Sequence, residues 1–265
     1  MQQSHWMQTI GRVAFLNCDP LFFNLNKEWN VLPAPPAWLT GHLLRRDCVL
    51  APIPAADYAR HADELILLPE IGICSKGEVG SVLVFGSMPL SEMRSIALPT
   101  DSATSVQLLR FLLSKHDLHP TLTVMGPDFD SMLEQCDGAL LIGDRALESS
   151  KSHPDMVQLD LGEDWLSYTG KPMVFGVFAA RKDTPVDILK KAQGALLDNL
   201  VEFEQVPSQR EKVIQWSMSR SAMTHERLDR YFGEVFNRID SENLDGLNQF
   251  LVEACGLSQG PQFAW

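Results

Sequence analysis

Short apolar segments rich in β-branched residues alternate with helix-patterned segments along two thirds of this chain, and that alternation restricts the fold more than any other feature. Strand candidates fall at residues 13–16, 48–53, 65–68, 82–85, 96–98, 122–125 and 139–142. Segments 54–61, 102–118 and 129–135 between them carry apolar residues at helical spacing, the pattern of crossover connections over a mostly parallel sheet. The expected class is therefore α/β. After one more apolar run at 174–180 the pattern becomes almost wholly helical. Leu189, Ala192, Leu196, Leu200 and Phe203 make one apolar stripe, and Pro207 starts a new helix rather than continuing the old one. With 265 residues and 45% apolar content, the chain has core enough for one large domain or two lobes. In the two-lobe arrangement, residues 82–85 lead into a middle lobe and 174–180 lead back out. Lobe 1 is then 1–87 with 179–265, lobe 2 is 88–178, and two crossing strands form a hinge beside a ligand cleft.

A formal net charge of −12 argues against binding to nucleic acid or to an anionic membrane surface, so any anion pocket is expected to be locally positive. No uncharged apolar run reaches the length of a membrane span, and MQQSHWMQTI at the start lacks the basic and apolar regions of a secretion signal. The five cysteines are widely spaced with no CxxC pair, as expected of reduced thiols in a cytoplasmic protein. Cys18 stands beside a candidate site segment, either as a small buried apolar residue or as a reactive thiol. The seven histidines show no HExxH, and neither GxGxxG nor GxxxxGK[ST] occurs. No metal or organic cofactor is expected.

Five segments carry polar groups where a strand meets a helix or a turn. Ser102-Ala103-Thr104-Ser105 follows the apolar run at 96–98 and opens a helix, whose unpaired N–H groups and dipole favour an anion. Ser102 also suits plain N-capping. Asn17 ends the first apolar run ahead of Asp19-Pro20, positioned either for a turn to the backbone or to point into a cleft at a strand's carboxyl end. Gly77 to Ser81 offers flexible backbone next to a hydroxyl. Gly143-Asp144-Arg145 repeats the strand-to-helix arrangement. Asp144 fits a base or an N-cap, and Arg145 a carboxylate partner or a surface ion pair. Trp165 to Pro172, with Thr169 at its centre, brings aromatics, hydroxyls and a cation before the returning strand.

Taken in order, FLNCDPL (15–21), LLPEIGICSKGEVGSVLVFG (67–86), SATSVQLL (102–109), LLIGDRAL (140–147) and DLGEDWLSYTGKPMVFGVF (160–178) resemble the chorismate dehydratases of the futalosine route to menaquinone. The resemblance implies a two-lobed fold like the type II periplasmic binding proteins, with a two-strand hinge and an interlobe cleft. It also implies a lyase that removes water from chorismate to give 3-[(1-carboxyvinyl)oxy]benzoate without a cofactor. On its motifs Asn17, Ser81 and Asp144 are expected in the catalytic set, and Ser102, Thr104, Ser105, Gly143, Arg145 and Thr169 around a dicarboxylate substrate. Two departures from the family pattern stand out: Pro54-Ala55 replaces paired serines, and Phe178-Ala179 replaces a Trp-containing end. A related naphthoate synthase of the same pathway and fold, or a non-catalytic anion sensor or receptor, are the alternative readings; a homodimer is compatible with any of them.

Overall fold

The apolar runs become strands that cross the molecule twice. β1 (Thr9–Val13), α1 (Asp19–Phe22), β2 (Asn30–Ala34), α2 (Pro36–Leu44), β3 (Ala51–Pro54), α3 (Ala55–Arg60) and the long β4 (Leu65–Ser75) come first. There follow β5 (Val82–Gly86), β6 (Ser95–Pro99), α4 (Ala103–Lys115), β7 (Thr121–Met125), α5 (Phe129–Gln135), β8 (Gly138–Ile142), α6 (Gly143–Ser152), β9 (Val157–Asp160) and α7 (Leu161–Thr169). β10 (Met173–Arg181) then returns the chain to α8 (Val186–Gln205), α9 (Pro207–Met218), α10 (His225–Glu234), β11 (Phe236–Arg238) and α11 (Ser241–Gln249). The computed structural model describes residues 5–25 and 27–265. Residues 1–4, the beginning of the stretch inspected above for a targeting segment, lie outside it.

Two sheets separate the lobes. In one, the order β11-β4-β10-β3 is antiparallel throughout, with β1 and β2 paired in parallel alongside and Ile10 bridged to Leu50. In the other, of order β7-β6-β8-β5-β9, the first three strands are parallel and β5 runs against both β8 and β9. The expected mostly parallel sheet is thus corrected to one antiparallel and one mixed sheet. The reason is the route of the chain: β4 carries it out of the first lobe and β10 carries it back, so neighbours that serve as exit and return must run in opposite directions. β4 continues well past residue 68, with Glu70 at φ +67 and a register jump against β10 absorbing the interruption at Pro69-Glu70. Hydrogen bonding puts Val82–Gly86 in the five-stranded sheet and the whole of Met173–Arg181 in the four-stranded one. We therefore place the lobe boundaries in the connections 76–81 and 170–172 rather than after residues 87 and 178.

Local chemistry explains the helix starts that matter to the cleft. Ser102 is extended and its Oγ accepts the Ser105 N–H at 3.3 Å, the N-cap of α4. The helical stripe on α8 is buried as its spacing predicts, and α9 opens at Pro207. Under the cleft, the fully buried Asp19 carboxylate accepts from the Arg12 and Arg220 guanidinium groups and from the Ser217 hydroxyl. The Trp216 ring lies 4.9 Å from Arg12 and 3.9 Å from Arg220, a half-buried cation–π stack that ties β1, α1 and α9 together.

One carboxylate holds the crossing between lobes. Asp160, at the end of β9, accepts from the N–H groups of Val79 and Gly80 on the outward connection, at 3.0 and 2.8 Å. The same carboxylate accepts from Gly162 and Glu163 at the start of α7, at 2.9 and 3.1 Å. Gly162 is needed at this crossing because a Cβ there would lie 2.5 Å from the Gly77 carbonyl oxygen. Replacing Asp160 by alanine strands three buried N–H groups and the partly buried one of Glu163. We expect Asp160→Ala to lower the unfolding free energy by about 3 kcal/mol, read from urea denaturation, with a change well under 1 kcal/mol as the refuting result.

Candidate functional site

The cleft lies where the C-terminal end of β1, the N-termini of α2 and α3, and the strand β10 face the N-termini of α4 and α6. Its space free of protein atoms, the solvent at its mouth included, is about 550 Å³. Val13, Phe15, Ile73, Phe175 and Val235 form an apolar wall, and the polar lining is Asn17, Ser81, Ser102, Thr104 and Ser105. Three N–H groups of the first lobe donate across it to the second: Leu16 to Asp144 Oδ1 at 3.0 Å, Ala37 to the Asp101 carbonyl at 3.3 Å, and Ala56 to Thr104 Oγ1 at 3.2 Å. The lobes are closed on each other.

Asn17 lines this cleft, but from a 3-10 turn (Leu16–Cys18) rather than from the strand itself, because β1 pairs with β2 only as far as Val13. Its Oδ1 is buried and has no hydrogen-bond partner among the described residues. A buried acceptor left in that state costs on the order of 1–3 kcal/mol, which a ligand hydroxyl would recover. Ser81 follows Gly80, whose φ of +63 turns the chain into β5. The Ser81 Oγ accepts from the Tyr231 hydroxyl at 3.1 Å, and its carbonyl accepts the Gly143 N–H at 2.7 Å. Gly143 also lines the cleft. At φ +60 it permits the approach of Phe15, whose ring would stand 2.6 Å from an added Cβ.

The cleft hydroxyls share one electrostatic arrangement. Ser81 accepts from Tyr231, Ser102 from the Ser105 N–H and Thr104 from the Ala56 N–H. Each thus has one lone pair engaged by the protein, and its O–H is left to donate inward. Among the described residues none that lines the cleft carries a charge, where a cation such as Arg145 was expected to line it. The positive potential here is that of helix N-termini and aligned donors, supplied by α4 above all.

Three expected site residues stand outside the lining. Arg145 pairs with Asp101 and lies over the Phe15 ring at 5.7 Å, so its charge is already answered within the protein. Thr169 closes the C-terminal turn of α7: its hydroxyl donates to the Trp165 carbonyl at 2.7 Å and accepts the Lys171 N–H at 3.1 Å. Asp144 sits directly behind Gly143, with Oδ1 held by Leu16. Cys18 is fully buried and its thiol is pushed up to about 12 by burial, so it is packing rather than a reactive group. The residues that sequence reasoning missed are Tyr231 and the aromatic wall. Phe15 and Phe175 fall within two of the quoted motifs, whereas Tyr231 had no local signal at all.

Burial pushes the Asp144 carboxyl up to about 6, against the Leu16 hydrogen bond that pulls it down, with the Asp19 charge adding to the rise. The folded state therefore binds more protons than the unfolded chain between the ordinary value of 3.8 and about 6, and its stability falls as pH rises through that window. An asparagine keeps an acceptor for Leu16 and removes the titration. Relative to wild type, Asp144→Asn is expected to gain on the order of 2–3 kcal/mol between pH 4 and pH 7. Denaturation curves across that range check it, and parallel pH profiles refute it.

The menaquinone-biosynthesis family matches residues 8–255. A chorismate dehydratase of Thermus thermophilus is 30% identical over 275 residues, covering 96% of this chain and 97% of that protein. Among solved structures, an Archaeoglobus fulgidus protein superposes with a TM-score of 0.72 at 18% identity, over 97% of this chain and all of that one. A Candida albicans gene product, described as having the generic periplasmic binding protein fold, gives 0.68 at 13% identity over 96% and 91% of the two chains. With two sheets, a double crossing and a cleft between the lobes, the chain has the periplasmic-binding-protein fold, and it belongs to the menaquinone-biosynthesis family.

Proposed function

We propose that this protein is a chorismate dehydratase, a hydro-lyase acting in the cytoplasm on the way to menaquinone. The observation that carries the reading is the polarity of the cleft: hydroxyls that each accept one bond from the protein and keep an O–H to donate, beside Asn17 Oδ1, a buried acceptor with no partner among the described residues. Chorismate offers a complementary set, with two carboxylates to accept and one ring hydroxyl to donate. Five free thiols fit a reducing compartment.

The chemistry asks little of the protein beyond geometry. The ring C–H beside the enolpyruvyl ether loses its proton, the adjacent C–O bond breaks, and that proton leaves with the hydroxyl as water while the ring becomes aromatic. Asn17 accepts the substrate hydroxyl's hydrogen bond and Ser81 donates to its oxygen, which assists departure. Thr104, Ser105 and the start of α4 hold the conjugated carboxylate as charge develops on it. No carboxylate, imidazole or amine lines the cleft, and Asp144 is engaged by Leu16 behind it. The proton acceptor that fits this site is the substrate's own side-chain carboxylate, held a few atoms from the C–H it relieves. Pro54, lining the cleft at the head of α3, supplies shape where a serine would supply a hydroxyl.

Purified protein mixed with chorismate, and followed by chromatography and mass, is expected to give the enolpyruvyl benzoate with loss of one water. Asn17→Ala and Ser81→Ala are each expected to lower kcat by about 10²–10³. Chorismate recovered unchanged refutes the reading.

A further inference from the structure

Tyr231 belongs to α10, in the first lobe, and stands 150 positions from Ser81. Its side chain is fully buried, outside the cleft lining, and its hydroxyl bonds to Ser81 Oγ alone among the described residues. That isolation fixes the direction of the bond. Were Ser81 the donor, the phenol proton would be left buried with no acceptor, an arrangement that costs far more than the alternative. The tyrosine therefore donates, and the serine's own proton is free to point into the cleft.

We infer that Tyr231 is the positioning residue of the dehydration site: by donating to Ser81 it holds that hydroxyl as an inward donor to the departing oxygen. The ring is gripped on its other side by the Arg227 guanidinium, 5.6 Å from its centroid, and Arg227 is itself anchored to Glu234 at 2.9 Å. Burial, and after it the charge of Asp144, hold the phenol above its ordinary range, so it remains a donor throughout the neutral region. Donation by the phenol also polarises the serine O–H and strengthens its own hydrogen bond to the ligand.

The inference rests on the dehydratase reading, and a cycle of Tyr231→Phe, Ser81→Ala and the double variant separates the two. Phenylalanine keeps the ring in its packing. We expect Tyr231→Phe to lower kcat about tenfold with KM within about twofold, and the double variant to match Ser81→Ala. Replacement of Tyr231 by 3-fluorotyrosine, which keeps ring and hydroxyl and makes the phenol a stronger donor, is expected to leave kcat at or above wild type. Wild-type kcat in Tyr231→Phe, or the same tenfold loss in the Ser81→Ala background, overturns the inference while the dehydratase reading stands. A 3-fluorotyrosine enzyme as slow as the phenylalanine variant overturns it too. A wild-type protein with no turnover of chorismate is a different outcome, refuting the reading and the inference together.

Discussion

A single buried carboxylate, Asp160, sets the relation between the two halves of this protein. The chain leaves the first lobe through the connection before β5, and both that connection and the first turn of α7 present N–H groups outside any sheet. Asp160 satisfies two on the way out and two at the start of α7. Because one side chain serves both the outward connection and the start of α7, the second lobe is fixed to that connection, and Ser81, one residue beyond Gly80, takes its place from it. The same economy appears at Asp19, which collects two guanidinium groups and a hydroxyl under the turn bearing Asn17. The turn bearing Asn17 and the connection leading to Ser81 are therefore both located by buried carboxylates that do not line the cleft.

Among the described residues the cleft lining offers hydroxyls and an amide but no cation. A lysine or arginine in a closed apolar cavity would carry a large desolvation cost and would bind substrate and transition state alike. Neutral donors already oriented by the fold do not reorganise as charge shifts along the conjugated ring acid. Arg145 illustrates the choice: it is at the rim, yet its charge is spent on Asp101 and its plane on Phe15. The protein's acidity and its anionic substrate class are reconciled at the scale of single hydrogen bonds, where net charge has little say.

What could be read in advance was whatever depends on near neighbours in the chain. The spacing of α5, the Ser102 cap, the Pro207 start and five of the strands are all settled within one or two turns of their own residues. Asn17, Ser81, Thr104 and Gly143, which line the cleft, were legible as candidates because each sits in a short motif at the end of an element. Arg145 and Thr169 were misplaced for a physical reason. Each has chemistry suited to a ligand, and in each case the fold supplies a competing partner: Asp101, 44 residues distant, for the arginine and the Trp165 carbonyl for the threonine. Tyr231 was invisible, since nothing near it hints at a hydroxyl 150 residues earlier. The sheet directions were misjudged because alternation of strand and helix says nothing about which strands carry the chain between lobes.

The closure of the cleft has a hereditary asymmetry. Every first-lobe donor across the gap is a main-chain amide, at Leu16, Ala37 and Ala56, and one of the three acceptors, the Asp101 carbonyl, is main chain as well. Side chains at those four positions can drift through evolution without touching the hydrogen bonds, provided proline is avoided at the donors. Only Asp144 and Thr104 expose the closed state to mutation through their side chains. Substitutions at the mouth of the first lobe that spare those amides therefore leave the closing bonds in place.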